Sequence, residues 1–316
     1  LENFHFTGDI YAIPEGTVVF PREPLVKVIA PIMEAQLVET AILTIINHQS
    51  LIATKAARVV NAARGDGIME FGLRRAQGPD AGTYGARAAM IGGCVGTSNV
   101  LAGQLFDVPV SGTHAHSWIM SFPDEYTAFK AYADIYPNAC LLLVDTYDTI
   151  KSGIPNAIRV AKEVLEPMGK RLKGIRIDSG DLAYQSIKVR KMLDDAGLQD
   201  CKVMVSNSLD EHTISSLNMQ KARIDGYGVG ERLITGASSD YSEDSISLLG
   251  AVYKIAAVEE NGEFSPRIKV SGSVEKITNP GLKKVYRVYD QNGKAKADLI
   301  AKADETIDMS TEFRFV

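Results

Sequence analysis

Short apolar segments alternate with longer helical segments through the middle of this chain, and this alternation constrains the fold more than any other feature. Six segments have the length and the continuous apolar character of buried strands. They are residues 68–71, 108–110, 140–144, 174–177, 202–205 and 227–229. Helical patterns separate them, for example at residues 179–197 and 208–223. Strands that are apolar on both faces and alternate with helices are typical of a parallel sheet covered by helices.

The alternation predicts an α/β fold with an irregular (β/α) barrel, and an open doubly wound sheet is the less favoured alternative. Both ends of the chain differ, because they carry short strands and hairpins. Strands are predicted there at residues 9–12, 17–20, 25–30, 251–258 and 284–289, a helical segment at 32–63 and a tight turn at 261–262. We therefore expect a barrel domain at residues 64–249, with strand-rich segments at residues 1–63 and 250–316 on either side of it in the sequence.

Composition and charge exclude several classes of protein. The net charge of −5 gives no basic surface for nucleic acid. No apolar run approaches the roughly 18 residues that a membrane span needs. Cys94, Cys140 and Cys201 are too few and too scattered for a disulfide framework or a zinc site, so we expect reduced cysteines in a cytoplasmic protein. The chain starts at Leu1, inside a strand-like segment, and we expect it to be a piece of a longer protein.

Polar side chains follow the predicted strands at their carboxyl ends, where barrel enzymes build their sites. In chain order they are Arg74, Arg75, Gly112, Thr113, His114, His116, Asp145, Asp148, Asp178, Asp181, Ser206 and Asn207. An aspartate after a strand is more often only a helix N-cap, and Asp145 and Ser179 fit that alternative. Arginines, glycine-rich turns and hydroxyls suit a phosphate. Asp178 and Asp181 suit ribose hydroxyls or Mg²⁺.

The stretch SGTHAHSW places His114 and His116 two residues apart after a predicted strand. Such a pair could bind a metal, or combine an acid/base or a nucleophile with a structural neighbour. A metal hydrolase would take further histidines from later strand ends, and only His212 lies near one, inside a helical segment. The ligand count therefore argues against a metal site. We expect His114 to satisfy hydrogen bonds and His116 to act as a nucleophile or as an acid/base.

Several motifs together resemble the nicotinate phosphoribosyltransferase family. They are PEGTVVFPREPLVKV, EFGLRRAQGPD, GGCVGTSN, GTHAHSW, VDTYDT, IRIDSGDL, YGVGERLITG, VYKIAAV and KITNPGLKK, and they span nearly the whole chain. The resemblance implies a type II phosphoribosyltransferase fold, an irregular barrel with a split β-rich domain. It also implies synthesis of nicotinate mononucleotide and pyrophosphate from nicotinate and phosphoribosyl pyrophosphate (PRPP), coupled to ATP hydrolysis, on the salvage route to NAD.

The resemblance assigns roles to residues. His116 is expected to be phosphorylated by ATP, with Arg74 and Arg176 neutralising the charge. Phe71 is expected to stack on the pyridine, unless it is only a core aromatic. The other expected contacts are Arg74 with the PRPP phosphates, Arg176 and Asp178 with ribose and diphosphate, and Ser206, Asn207, Gly228 and Gly230 with the 5′-phosphate, beside Gly112 and Thr113. No Walker-type motif occurs, so ATP is expected to use the same site, with Mg²⁺ near Asp181.

Two positions bear on the choice of substrate and on fit to the family. Ser98 stands where the similar nicotinamide enzyme carries an aspartate, and a serine leaves nearby arginines free to attract a carboxylate. The alternative is that Ser98 only caps the following helix. Glu231 and Arg232 follow the GVG motif where small or neutral residues are common. We expect Glu231 to point away from the phosphate or to pair with a base.

The expected partners are nicotinate, PRPP and ATP, with neither nucleic acid nor membrane. In the family, a tyrosine from an N-terminal segment closes the pyridine site across a dimer. No counterpart of this tyrosine is visible here, and we expect a homodimer whose partner completes the site. The alternatives are a sister enzyme that uses nicotinamide or quinolinate, and a non-catalytic relative that binds nucleotides.

Overall fold

The computed structural model describes residues 4–237, 249–270, 272, 277–307 and 314–315. The chain divides into two compact units, Ile46–Leu249 and a unit built from both ends, Leu1–Ile45 with Gly250–Val316. The division falls inside the long helix Glu39–Ala63, whereas the sequence prediction placed a boundary at the end of that helix.

The N-terminal part of the terminal unit begins with a two-stranded antiparallel sheet. Strand β1 (Asp9–Ala12) pairs with β2 (Val26–Ile29), and helices α1 (Ile32–Leu37) and α2 (Glu39–Ala63) follow. The strand predicted at residues 17–20 is wrong. The backbone N–H of Phe20 donates to the Glu23 carboxylate at 3.0 Å, and Arg287 binds the Val18 carbonyl at 2.6 Å. These local and side-chain bonds occupy groups that a strand would offer to a neighbour.

A six-stranded parallel sheet forms the centre of the unit Ile46–Leu249. Its strands are β3 (Gly67–Glu70), β4 (Gly96–Thr97), β5 (Leu141–Leu143), β6 (Gly174–Ile177), β7 (Lys202–Ser206) and β8 (Gly226–Val229). Their order is β4-β3-β8-β7-β6-β5, and every adjacent pair is parallel. The prediction of a parallel α/β sheet is confirmed, and the sheet curls into half a barrel.

Helices and helical turns connect these strands. The helices are α3 (Pro79–Ile91), α4 (Val100–Phe106), α5 (His116–Met120), α6 (Glu125–Ile135), α7 (Ile154–Val160), α8 (Leu182–Asp195), α9 (Glu211–Met219) and α10 (Glu231–Ile234). Short 3₁₀ turns lie at Leu73–Arg75 and Glu166–Met168, and π turns at Thr149–Gly153 and Ala161–Leu165. No helix in the described ranges is both long and apolar enough to cross a membrane.

Alternate residues along the strands have different surroundings, as the two-residue period of a strand requires. Ile175, Ile177, Val203 and Val205 are fully buried in the hydrophobic core. The residues between them include Arg176, whose side chain reaches across to the end of β7. One face of β6 and β7 therefore supplies the core, and Arg176 projects from the opposite face.

The strand predicted at residues 108–110 is wrong, and the edge strand is the two-residue β4 instead. Pro109 has no backbone N–H, so this segment cannot continue a ladder. It forms only an isolated bridge between Val110 and Thr97, in which Thr97 donates to the Pro109 carbonyl at 2.9 Å.

The C-terminal part of the terminal unit consists of hairpins. Strands β9 (Ala257–Glu260) and β10 (Glu263–Pro266) flank the predicted turn, and β11 (Lys283–Tyr289), β12 (Ala295–Lys302) and β13 (Arg314–Phe315) form a three-stranded sheet. The strand predicted at residues 251–258 is wrong except for its last two residues. The Ala256 carbonyl accepts from the N–H groups of Arg267 and Gly281, so the ladder begins one residue later.

A buried ion pair between α2 and α9 yields a test of stability. Lys55 Nζ lies 2.6 Å from Glu211 Oε2, and the side chains are 5% and 13% exposed. Lys55→Met leaves the Glu211 charge buried without its partner, and should lower the free energy of unfolding by about 3 kcal/mol. Urea denaturation followed through the single tryptophan, Trp118, measures it.

Lys191→Met is the matched control, because Lys191 and Asp195 form an ion pair that is exposed to solvent. This change should have little effect on unfolding. Equal losses in the two variants would contradict a structural role for the buried pair.

Candidate active site

A cluster of polar side chains lies at the carboxyl ends of β5, β6 and β7. We call it the Arg176 cluster, and its members are Thr113, His116, Asp145, Thr146, Arg176, Asp178 and Ser206. The strand ends bring these residues together from positions up to 93 apart, 113 and 206. The cluster lies where a parallel barrel is expected to hold its site.

Arg176 is the centre of the cluster. Its Nε donates to Ser206 Oγ at 2.8 Å and its Nη1 to Thr113 Oγ1 at 2.7 Å, while Nη2 lies 3.2 Å from Asp178 Oδ1. The Ser206 hydroxyl donates in turn to the same Asp178 oxygen. The guanidinium is thereby held in one orientation by oxygen atoms from three segments, with its side chain 19% exposed. A fixed and partly desolvated cation of this kind suits an anionic ligand.

His116 is the first residue of α5 and faces two carboxylates. Its Nδ1 lies 3.1 Å from the Thr146 hydroxyl, and its Nε2 lies 3.6 Å from Asp178 Oδ2 and 3.9 Å from Asp145 Oδ1. The ring is 39% exposed, so a ligand can approach it. Nδ1 is occupied by a hydroxyl, and Nε2 is the nitrogen that is available for chemistry.

Asp145 belongs to the site, although the sequence alone gave it no more weight than a helix cap. Its side chain is 2% exposed, and Oδ2 accepts from the Asp178 N–H at 2.9 Å and from the Ser179 hydroxyl at 2.5 Å. Its Oδ1 is buried, makes no hydrogen bond to the described residues and faces His116. The cap of α8 is Asp181, which accepts from the Tyr184 N–H at 3.0 Å. Asp145 is therefore free to hold the Asp178 loop against the imidazole.

Phe71 follows β3 and lies beside Arg176 rather than in the buried core. Its N–H donates to the Val229 carbonyl at 2.8 Å, and the Arg176 guanidinium lies 5.6 Å from its ring centroid. A Cβ at Gly228 would stand 2.5 Å from Phe71 Cδ2. The ring therefore occupies the space that the absent side chain of residue 228 leaves open. A half-buried ring in this place is suited to stacking on a planar ligand.

Two further predicted phosphate contacts lie in loops after β7 and β8. Asn207 and Ser208 both have positive φ, at 95° and 50°, so the chain reverses sharply after the buried Ser206. Gly230 is the residue that precedes α10. Glu231 Oε2 lies 3.4 Å from Arg75 Nε, which confirms the expectation that it pairs with a base.

Other predicted site residues form no hydrogen bond or ion pair with the Arg176 cluster in the described part of the chain. Arg74, Gly112 and Asp181 are exposed. The side chain of Asp181 accepts the hydrogen bond that caps α8. Ser98 follows β4 and is half-buried, with its N–H donating to the Glu70 carbonyl at 3.0 Å. Asn99 caps α4 by accepting from the Ala102 N–H at 3.1 Å, so the capping alternative for Ser98 is wrong.

His114 is a buried neighbour of the site. Its Nε2 accepts the Leu143 N–H at 3.2 Å, and its ring meets Tyr132 edge-on with centroids 4.7 Å apart. The pKa of His114 is lowered to about 4, mainly by burial and to a smaller extent by the charges of Arg176 and His116, against the Ala115 backbone, which favours the proton. The imidazole is therefore neutral near pH 7 and positions β5, as the sequence predicts for this residue.

Comparisons with known proteins show which family the chain belongs to. Three family models match: the nicotinate phosphoribosyltransferase (NAPRTase) N-terminal domain over residues 1–47, the nicotinate phosphoribosyltransferase (NAPRTase) family over 67–295, and the nicotinate phosphoribosyltransferase C-terminal domain over 282–316. Nicotinate phosphoribosyltransferase of Bacillus subtilis is 53% identical over 307 residues, which cover 96% of this chain and 60% of that protein. A nicotinate phosphoribosyltransferase of Mycobacterium tuberculosis is 44% identical over 289 residues, which cover 91% and 58%.

Solved structures share the fold. Human nicotinic acid phosphoribosyltransferase superposes with a TM-score of 0.77 at 32% identity, covering 95% of this chain and 65% of that one. Nicotinate-nucleotide pyrophosphorylase from Pyrococcus furiosus superposes with a TM-score of 0.73 at 27% identity, covering 96% and 70%. The half barrel with its strand-rich unit is a type II phosphoribosyltransferase fold. The chain belongs to the nicotinate phosphoribosyltransferase family. It spans about three fifths of the length of the curated relatives that it matches.

The pKa of His114 predicts a dependence of stability on pH. The unfolded imidazole binds a proton near its usual pKa of 6.5, whereas the folded one binds it only near 4. Stability is therefore present above 6.5 and is lost as the pH falls toward 4. Between pH 6.5 and about 4.5, the wild type should lose about 2 kcal/mol more of its free energy of unfolding than His114→Gln.

Urea denaturation at the two pH values measures this difference. The glutamine keeps an acceptor for the Leu143 N–H but does not titrate, so the carboxylates affect both proteins alike. If the free energy of unfolding falls equally in wild type and variant, folding does not lower the pKa of His114, and the prediction is wrong.

Proposed function

We propose that the protein is an ATP-dependent nicotinate phosphoribosyltransferase of NAD salvage. It joins nicotinate to PRPP and forms nicotinate mononucleotide and pyrophosphate, while ATP is hydrolysed through a phosphohistidine at His116. The Arg176 cluster carries this proposal, because it puts a fixed cation, two carboxylates, an exposed imidazole and the Phe71 ring in one place. Family membership and the B. subtilis relative support it.

The cluster matches the parts of PRPP. Arg176 is positioned to stabilise negative charge on the diphosphate, which leaves as the C1′–O bond breaks and the pyridine nitrogen bonds to C1′. Asp178 can accept hydrogen bonds from ribose hydroxyls. The Ser206–Asn207 turn, Gly228 and Gly230 would hold the 5′-phosphate, with Gly112 and Thr113 beside them. Arg74 makes no ion pair among the described residues, which leaves it available for a phosphate.

His116 is suited to accept a phosphoryl group. A neutral imidazole nitrogen is a good nucleophile, and the Thr146 hydroxyl occupies Nδ1, so we assign the reaction to Nε2. With its proton on Nδ1, directed at the Thr146 oxygen, the ring has a free lone pair on Nε2. Attack of Nε2 on the γ-phosphorus releases ADP, and Asp178 and Asp145 lie near enough to stabilise the positive charge that the ring then carries. ATP then shares the phosphate site with PRPP, which is why both steps depend on Arg176.

Mg²⁺ is the cofactor that we propose. The described residues contain no group of three or more His, Cys, Asp or Glu side chains that could hold a metal ion. Mg²⁺ commonly binds through one or two carboxylates together with substrate phosphates, and the unpaired Asp145 Oδ1 and Asp178 fit such a role. When bound, the ion neutralises phosphate charge. The exposed Asp181 stays a predicted ligand through the oxygen that does not cap α8.

We also propose a cytoplasmic homodimer whose partner subunit completes the pyridine site. The family resemblance supports the dimer, and the three buried, unpaired cysteines support a reducing compartment. Nucleic acid is not among the proposed partners, in keeping with the net charge of −5.

Phosphorylation of His116 is a direct test of this mechanism. Incubation with γ-³²P-ATP should label the protein, and the label should be lost in acid and retained in base, because a phosphoramidate is acid-labile. His116→Ala should abolish both labelling and ATP hydrolysis. His212→Ala, which removes an exposed histidine from α9, should retain both. Label that persists in His116→Ala would overturn the assignment.

The preference of the enzyme for nicotinate over nicotinamide tests the proposed substrate. Wild type mixed with PRPP, ATP and Mg²⁺ should form mononucleotide from nicotinate, and mass detection should show little product from nicotinamide or quinolinate. Ser98→Asp places a negative charge beside the pyridine and should lower kcat/KM for nicotinate by roughly 100-fold, since like charges in a partly dry site cost several kcal/mol.

Ser98→Ala separates charge from the loss of the hydroxyl, and it should reduce nicotinate turnover less than Ser98→Asp does. An unchanged acid-over-amide preference in Ser98→Asp would remove this residue from the account. Wild-type preference for nicotinamide or quinolinate would identify a sister enzyme, and absence of any product would indicate a non-catalytic relative.

A further inference from the structure

Glu70, the last residue of β3, carries a carboxylate that the proposed mechanism does not use. Its side chain is fully buried, and it forms no ion pair within the described part of the chain. Burial raises its pKa, against the hydrogen bonds that Thr97 and Gly72 donate to it. An isolated buried carboxylate is costly, so its hydrogen bonds must offset the loss of water.

The carboxylate joins two segments of chain that continue past the strands. One oxygen accepts the N–H of Gly72, which follows β3, and the other accepts the Thr97 hydroxyl of β4 at 2.6 Å. The same hydroxyl accepts the Asn99 N–H at 3.0 Å, so its single proton is directed at Glu70. Phe71 and Ser98 each lie next to one of these bonded residues.

Few other bonds hold these segments together. The β3–β4 ladder has only two paired positions, Met69 with Gly96 and Glu70 with Thr97. Past it, the Ser98 N–H donates to the Glu70 carbonyl. Gly72 is confined as well, since a Cβ there would lie 2.4 Å from Ile234 Cβ and 2.8 Å from Glu70 Oε1. The carboxylate therefore sets where the chain turns after Phe71.

We propose that Glu70 is a positioning residue for the pyridine subsite: through Gly72 and Thr97 it fixes the spacing between the Phe71 ring and Ser98. This inference rests on the proposed function, and it adds the element that sets the distance between the stacking ring and the residue that selects acid over amide. The ring fixes the plane of the pyridine, and its substituent reaches Ser98 only if that distance is held.

A carboxylate suits this position better than an amide. Each oxygen accepts from one donor, and both donors have no alternative direction, because Gly72 N–H is backbone and the Thr97 proton is directed by Asn99. A glutamine would present an NH₂ group to one of them, so one of the two bonds would be lost.

Thr97→Val is the test, with Thr97→Ser as the conservative variant. Valine keeps the shape and removes the hydroxyl, whereas serine keeps the hydroxyl. Thr97→Val should raise KM for nicotinate about tenfold, the factor that corresponds to one hydrogen bond to a buried charged group, and leave KM for PRPP nearly unchanged. It should also reduce the preference for nicotinate over nicotinamide, and Thr97→Ser should restore both values.

Thr83→Val controls for a general loss of stability. Thr83 is also buried, and its hydroxyl donates within α3, to the Pro79 carbonyl at 3.0 Å, rather than to Glu70. This variant should leave both Michaelis constants unchanged. Glu70→Gln provides a second route to the same result if Thr97→Val does not fold.

The outcomes are separable. If the wild type forms mononucleotide but Thr97→Val leaves the KM for nicotinate and the selectivity unchanged, the role of Glu70 is overturned. The proposed function then stays intact. Equal rises in the two Michaelis constants, or failure of both Thr97→Val and Glu70→Gln to fold, would show that the carboxylate serves stability alone. Wild type that forms no product overturns the proposed function itself.

Discussion

The guanidinium of Arg176 is held by oxygen atoms from segments that lie far apart in the sequence, and the site depends on this interaction. Thr113, Asp178 and Ser206 each occupy one side of the planar cation. An arginine alone at a strand end would sample many rotamers, and ordering it on binding would cost free energy. Here the cost is met during folding, so the cation is already oriented when an anion arrives.

Two buried carboxylates, Asp145 and Glu70, hold other parts of the site through hydrogen bonds to N–H and hydroxyl groups. One oxygen of Asp145 accepts hydrogen bonds from the Asp178 loop, and the other faces His116. Glu70 does the same kind of work at the opposite edge of the sheet, between β3 and β4. In both cases a buried carboxylate accepts one backbone N–H and one side-chain hydroxyl, and it thereby fixes the loop that follows a strand.

The sequence predicts the parts of this molecule that depend on local pattern. Continuous apolar runs located five of the six parallel strands, and β6 matches its predicted bounds. The sixth, β4, has only two residues and no periodicity to detect, while the apolar run at 108–110 contains Pro109 and cannot form a ladder.

The site shows the same limit. Residue type and position after a strand pointed to His116 and Asp178, and the family resemblance pointed to Arg176, which lies inside β6. The structure brings the three together. The same signal is ambiguous for aspartates, because a cap and a site residue both follow strands. Only the three-dimensional contacts separate Asp181, which caps α8, from Asp145, which faces the imidazole.

The order of strands in the sheet also has a consequence for folding during synthesis. β8 is the last of the parallel strands in the chain, yet it lies between β3 and β7 near the middle of the sheet. During synthesis the early strands β3 and β4 and the later group β5 to β7 can form only as separate pieces, because the strand that joins them has not yet been made. Phe71 and Arg176 stand on opposite sides of that gap. Phe71 and Arg176, which are more than a hundred residues apart, can therefore come together only after β8 has been synthesised as far as Val229. Strand pairing over such sequence separations is slow.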